Sequence, residues 1–171
     1  MSDPRQTDPV LDAERLREVA DLGLLGGEHD AELQAIARSA AERLGLPVGL
    51  VSIVLSDAQV FAGTHGLGGW LEEANGTPVE WSFCANSVRT GEPFVVEDAT
   101  THALVRDNPL VREDGVRCYA GIPLVSSRAL VLGNLCVIGT EERSFGPEEM
   151  EILAELAHAA VERIESRAGR R

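Results

Sequence analysis

Five strand-like runs share this chain with only one short helical candidate between them, and that ratio restricts the fold more than any other feature. The runs cover residues 48–55, 59–65, 93–97, 116–125 and 131–140, and the short helix is expected at 82–90. A parallel sheet needs a crossover of a dozen or more residues, normally a helix, between successive strands. Ser56-Asp57 and Ser126-Ser127-Arg128 leave room only for hairpin turns. The sheet is therefore expected to be largely antiparallel, of five to six strands, in an α+β arrangement.

Helices are expected at both ends. Asp8-Pro9 reads as an N-cap followed by proline at the first helical position, with a helix running to about Leu25 and ending at Gly26-Gly27. A second helix starts near Asp30. Its Leu33, Ile36, Ala37, Ala40 and Leu44 make one apolar stripe, Gly45 ends it, and Pro47 prevents continuation. Pro147-Glu148-Glu149 opens a long final helix with acids in its first turn. On that helix Met150, Leu153, Ala157, Ala160 and Ile164 form one stripe, and Ile152, Leu156 and Ala159 a second. The second stripe either widens the core-facing side or meets a copy of itself, so a homodimer through the terminal helices is one expectation. Residues 66–80 read as a long loop, marked by glycines, Asn75-Gly76 and Pro78. The domain plan is a frayed start at 1–8, a single domain over 9–166 and a short tail at 167–171. The terminal helices are placed on one face of the sheet, and the loops over a pocket on the other.

With 171 residues the chain holds one domain with a real core. Its net charge of −13 comes from 28 acidic and 15 basic side chains, all of the latter arginine. That balance opposes contact with nucleic acid or an anionic membrane. No apolar run of about 18 residues occurs, and Met1-Ser2-Asp3-Pro4-Arg5 lacks the start of a secretory signal, so a cytoplasmic location is expected. Cys84, Cys118 and Cys136 are too widely spaced for a zinc knuckle or a Cys-x-x-Cys redox pair, and no clustered metal ligands are visible.

Three segments carry a family resemblance: Trp81-Ser82-Phe83-Cys84-Ala85-Asn86-Ser87, Gly115-Val116-Arg117-Cys118-Tyr119-Ala120-Gly121-Ile122-Pro123-Leu124, and Leu132-Gly133-Asn134-Leu135-Cys136-Val137-Ile138-Gly139. With Pro93-Phe94-Val95-Val96-Glu97-Asp98-Ala99-Thr100 and Asp107-Asn108-Pro109-Leu110-Val111 between them, the chain resembles the GAF domain family, most closely the domains attached to bacterial histidine kinases and diguanylate cyclases. The likeness spans roughly residues 10–166. It departs at Cys118, where that subgroup commonly has Phe, at His102-Ala103-Leu104-Val105, where it tends to have Asp-Pro-Arg-Phe, and at Gly139, which replaces an Asp.

The resemblance implies a non-catalytic sensory or regulatory module that binds an unidentified small molecule and acts on a signalling protein in trans. It names no cofactor. The ligand-site candidates are Trp70, Trp81, Phe83 and Tyr119, four of the seven aromatics, with Cys84 beside them and Ser87, Asp98, Asn108 and Arg117 as orienting polar groups. An alternative implied by one branch of the family is a thiol-dependent reductase of free methionine sulfoxide, using Cys118 and Cys84. Another is an interaction scaffold without a pocket. Covalent bilin attachment is disfavoured because no Cys-His dipeptide occurs. His65 and His102 are the histidines placed to ligate a haem, while His29 and His158 carry no signal. The Asn-Lys-Phe-Asp-Glu signature of cyclic-nucleotide binding is incomplete without lysine.

Overall fold

A computed structural model describes residues 8–169 of the chain. Its frame is one sheet in the order β3-β2-β1-β6-β5-β4, with every neighbouring pair antiparallel. The strands are β1 (Val48–Val54), β2 (Ala58–His65), β3 (Gly76–Pro78), β4 (Phe94–Val96), β5 (Cys118–Val125) and β6 (Val131–Gly139). The expected antiparallel α+β architecture is therefore present. Of the expected frayed start at 1–8, residues 1–7 lie outside the described residues, as do 170–171 of the tail, and Asp8 is held as the cap of the first turn.

Side-chain alternation along the strands divides the interior into two cores. Val51, Ile53, Ala120, Leu124, Leu135 and Val137 face three helices: α1 (Ala13–Asp21), α2 (Ala31–Leu44) and α6 (Pro147–Arg167). Leu50, Val54, Phe61, Tyr119 and Cys136 face the opposite way, beneath the connecting segments. The terminal helices thus share one face, as the sequence implies. Leu153, Ala157, Ala160 and Ile164 of α6 enter the helix-side core, and Ile152 and Leu156 pack partly buried against the same core. Ile152, Leu156 and Ala159 of the second stripe stay half-buried beside the buried Leu153, Ala157, Ala160 and Ile164 of the first. No described helix is long and apolar enough to cross a membrane.

Several boundaries differ from expectation for identifiable reasons. The single first helix is split into a 3-10 turn at Pro9–Leu11 and α1, because Asp8 caps the turn through Val10 N–H and Asp12 caps α1 through Arg15 N–H. The expected 66–80 loop holds a six-residue helix, α3 (Gly69–Ala74), closed by Asn75 in the left-handed region, and the short β3. The helix expected at 82–90 is α4 (Ala85–Thr90), since Ser82 Oγ accepts from Ala85 N–H before the first turn. One more short helix, α5 (Pro109–Arg112), follows Asn108. Gly45 ends α2 in the left-handed region at φ 69°, as its position after the stripe requires.

Asp30 joins the two longest helices. Its Oδ1 accepts from Glu32 N–H at 3.0 Å and Leu33 N–H at 3.1 Å, capping α2. Its Oδ2 lies 2.9 Å from Arg163 Nη2 and 3.5 Å from Arg167 Nη1 on α6. The Arg163 hydrogen bond, helped by the Leu33 amide, holds the carboxyl down to about 2. A carboxyl with a depressed native pKa stabilises the fold above its ordinary value of 3.8, and that stabilisation fades as pH falls through about 2. Asp30→Asn keeps a cap and discards the ion pair. It is expected to cost about 1–2 kcal/mol at pH 7 and to flatten stability between about pH 4 and 2, as read by urea denaturation across pH. An unchanged acid limb would show that the pair contributes nothing.

Candidate functional site

The face away from the helices contains two adjoining cavities. The larger, about 210 Å³, opens between β1, β2, the end of β6, the segment leading into α3, and α5. Leu50, Phe61, Leu67, Leu71, Leu110 and Val116 give it an apolar wall. Gln59, Thr77, Asp114 and Thr140 are its polar lining, and none of the described lining residues is basic. The smaller, about 20 Å³, is lined by Phe83, Cys84, Tyr119 and Cys136. Leu50, Gln59, Leu110, Val116 and Ile138 border both.

Gln59 is the polar hub of this face. Its Oε1 accepts from Ser52 Oγ at 3.0 Å and from Ser82 Oγ at 2.7 Å. Its amide nitrogen donates to Thr77 Oγ1 at 2.8 Å, whose hydroxyl passes on to Pro78 O. A primary amide has two N–H donors, so one hydrogen of Gln59 remains beside the cavity. The side chain is buried, which makes an unmatched donor there costly and a guest with an acceptor oxygen welcome.

A second network lies beneath Tyr119. Asn134 Nδ2 donates to Tyr119 Oη at 2.8 Å and to Ser87 Oγ at 3.2 Å, and Cys84 Sγ sits 3.1 Å from Tyr119 Oη. Gly121 makes this packing possible, since a Cβ there would lie 2.5 Å from both Tyr119 Oη and Asn134 Nδ2. Burial pushes the Tyr119 hydroxyl well above its ordinary range, so it is a neutral donor and acceptor.

The candidate ligand residues part company here. Phe83, Cys84 and Tyr119 wall the small cavity, with the Phe83 and Tyr119 rings 5.2 Å apart. Trp70 and Trp81 pack edge to face at 5.8 Å outside both cavity walls, and Trp70 Nε1 donates to Asp114 Oδ1 at 3.0 Å. Ser87 is buried behind Asn134. Asn108 caps α5 through Leu110 N–H and donates to Trp81 O. Arg117 donates to the carbonyls of Val111 and Val116, so its charge serves the loop. Asp98 is exposed in a turn where Thr100 donates to it twice, which lowers its pKa. Gln59, Thr77, Leu50 and Cys136 carry no mark in the sequence, because which strand residues face a cavity is fixed only by the register and the partner strands.

The Cys118–Cys84 pairing is corrected by the register. Cys118 precedes Tyr119 in β5 and therefore points with Ala120 toward the helices; a side chain at Gly139 would meet both Cys118 Sγ and Leu46 there. The sheet separates it from Cys84. The two thiols that do meet are Cys84 and Cys136, with sulfurs 3.9 Å apart.

A cavity on the loop-covered side of one antiparallel sheet, with terminal helices on the other, accords with the sequence pattern of the GAF domain, which matches residues 28–164. The chain belongs to the GAF domain family. It is 37% identical over 157 residues to the protein named Cyclic di-GMP phosphodiesterase PA2567 of Pseudomonas aeruginosa, a match that covers 90% of this chain and 26% of that protein. This GAF domain thus spans about a quarter of that relative's length. Its fold is that of the GAF domain from Acinetobacter phosphoenolpyruvate-protein phosphotransferase (TM-score 0.64, 15% identity, 97% of this chain and 96% of that one). The free methionine-R-sulfoxide reductase from Neisseria meningitidis is equally similar in fold (TM-score 0.64, 22% identity, 96% and 92%). These likenesses overturn the expectation of a non-catalytic domain. One relative is named a phosphodiesterase and a structure of the same fold is a reductase, so membership of this family does not carry the absence of catalysis.

Proposed function

We propose that this GAF domain is a regulatory module of signal transduction that binds a small, uncharged and largely apolar molecule in the 210 Å³ cavity. The observation that carries the reading is the lining itself: apolar walls, one buried amide with an uncommitted hydrogen, and no basic side chain among the described lining residues. Ligand pockets usually run from about 300 to 1,000 Å³, so the guest is small, on the order of ten non-hydrogen atoms. A cyclic dinucleotide carries two phosphates and several times that bulk, and fits neither the volume nor the charge. The relative's name supports a place in cyclic di-GMP signalling, with this domain reading a different molecule.

Binding favours one arrangement of the segment from Gly66 through α3 and of α5, both of which border the cavity. The shared strands β1 and β6 connect that border to α2 and α6, which deliver the output to a signalling protein in trans or to a second copy of the domain. Benzyl alcohol and acetophenone are suitable neutral probes, each small and carrying one acceptor oxygen. At millimolar concentration each is expected to raise the melting temperature by about 1–3 °C, and Leu71→Trp, which fills the cavity, is expected to remove the shift. A shift with cyclic di-GMP and none with neutral probes would overturn the reading.

A further inference from the structure

We propose that Cys84 and Cys136 form a peroxide-responsive dithiol, oxidised to a disulfide that fastens the start of α4 to the centre of the sheet. The placement carries this inference. Cys84 stands immediately before α4, and Cys136 lies in the middle of β6, 52 positions later. Their sulfurs are in thiol hydrogen-bond contact at 3.9 Å, and a disulfide bond of about 2.05 Å is reached by a closure of roughly 2 Å. Both side chains wall the 20 Å³ cavity, which exceeds the roughly 10–15 Å³ needed to hold one water and so admits a comparably small oxidant.

The surroundings assign the roles. Asn134 Nδ2 occupies a lone pair of Tyr119 Oη, which leaves the phenolic hydrogen free to point at Cys84 Sγ. Once Cys84 is ionised, the Cys136 thiol supplies a second donor to it. The Cys136 hydrogen bond above all lowers the Cys84 pKa, against its burial, while the same contact and burial push Cys136 well up. Cys84 is therefore the attacking sulfur and Cys136 the resolving one.

The Cys84 thiolate attacks one oxygen of hydrogen peroxide. The O–O bond breaks, the departing hydroxide takes up a proton as water, and Cys84 becomes a sulfenic acid. The Cys136 sulfur then attacks the Cys84 sulfur and the S–O bond breaks. The hydroxyl leaves with the Cys136 proton as a second water, and the S–S bond forms. Two thiols lose two electrons, and one peroxide is reduced to two waters.

The chain maps its own cysteines. It has no lysine, and cleavage at arginine puts Cys84 in peptide 44–89, Cys118 in 118–128 and Cys136 in 129–143. The folded protein is treated with graded hydrogen peroxide, its free thiols are alkylated in denaturant, and the tryptic peptides are weighed. The expected result is a species joining 44–89 to 129–143, lighter by two hydrogens than the pair, while 118–128 stays alkylated. Reduction should restore both peptides. The oxidised protein should melt about 5 °C or more higher, because the link closes a long loop. Peroxide added after unfolding should lose the selectivity. The inference is overturned if Cys84 and Cys136 remain alkylated at doses that consume Cys118, if Cys84 links to Cys118, or if the unfolded chain gives the same single link. The mapping needs no variant and no ligand, so it stands or falls apart from the neutral-ligand reading. In Cys136→Ser the sulfenic acid on Cys84 should persist and react with dimedone; a cross-link between the remaining cysteines would count against the assigned roles.

Discussion

Gly49→Val is expected to leave the domain largely unfolded, with a loss of more than about 4 kcal/mol and little native signal in urea denaturation. A Cβ on Gly49 would lie 2.1 Å from the carbonyl oxygen of Ala37 and 3.3 Å from Ala41 Cβ, both on α2. A Cβ on Gly63 of the neighbouring strand would come within 2.6 Å of Leu33 O, also on α2. The backbone of α2 thus rests on two glycines of adjacent strands, closer than any side chain allows. The helix cannot retreat, because Leu33, Ala37, Ala40 and Leu44 are all buried in the helix-side core and Asp30 ties its start to α6. Gly49→Ala should cost less, about 2–4 kcal/mol. Gly26→Ala, whose added methyl meets only Glu28 Cγ at 3.8 Å, is the control expected to change little. A Gly49→Val protein with an unchanged midpoint would mean that α2 does not sit on this strand.

Arg15→Ala is expected to cost about 3–5 kcal/mol, the second largest effect. Arg15 is only 3% exposed, and its guanidinium donates to three backbone carbonyls: Pro9 at 3.2 Å, Val10 at 2.9 Å and Val131 at 3.1 Å. Burial pulls its pKa down to about 10, so it is still charged at neutral pH. Removing it takes a donor from the Val10 and Val131 carbonyls, while Pro9 O keeps the Asp12 N–H, and frees the Pro9–Leu11 turn from the start of β6. Lysine has one ammonium where arginine has a planar fork, so Arg15→Lys should recover only part of the loss. Urea midpoints of the two variants test this; equal stability of Arg15→Ala and the parent would show that water replaces the guanidinium at no cost.

These two positions mark where sequence reading reaches its limit. The strand pair over Cys118–Val125 and Val131–Gly139, the α2 cap at Gly45 and the Pro147 start of α6 were legible because each depends on neighbours in the chain. Gly49 was not, since a glycine inside an apolar run has no mark that separates a close approach of a helix from simple weakness. Arg15 has no mark in the sequence either, because the carbonyls it serves are set by tertiary packing. The site was half legible. Phe83, Cys84 and Tyr119 line the smaller cavity. Choosing Cys118 and Tyr119 together for one pocket, however, conflicts with strand alternation, which sends consecutive side chains to opposite faces. With the register known, the partner of Cys84 becomes Cys136, two strand positions from Asn134 and on its face of β6.

The outermost ladders of the sheet are short. On one flank Gly76–Pro78 contributes three residues and stops at an imide without a donor; on the other Phe94–Val96 contributes three more, directly after Pro93. A neighbouring chain that tried to extend the sheet would find almost nothing to zip onto, so growth into fibrils by main-chain pairing is blocked at both margins. Any lasting association between copies has to be written in side chains.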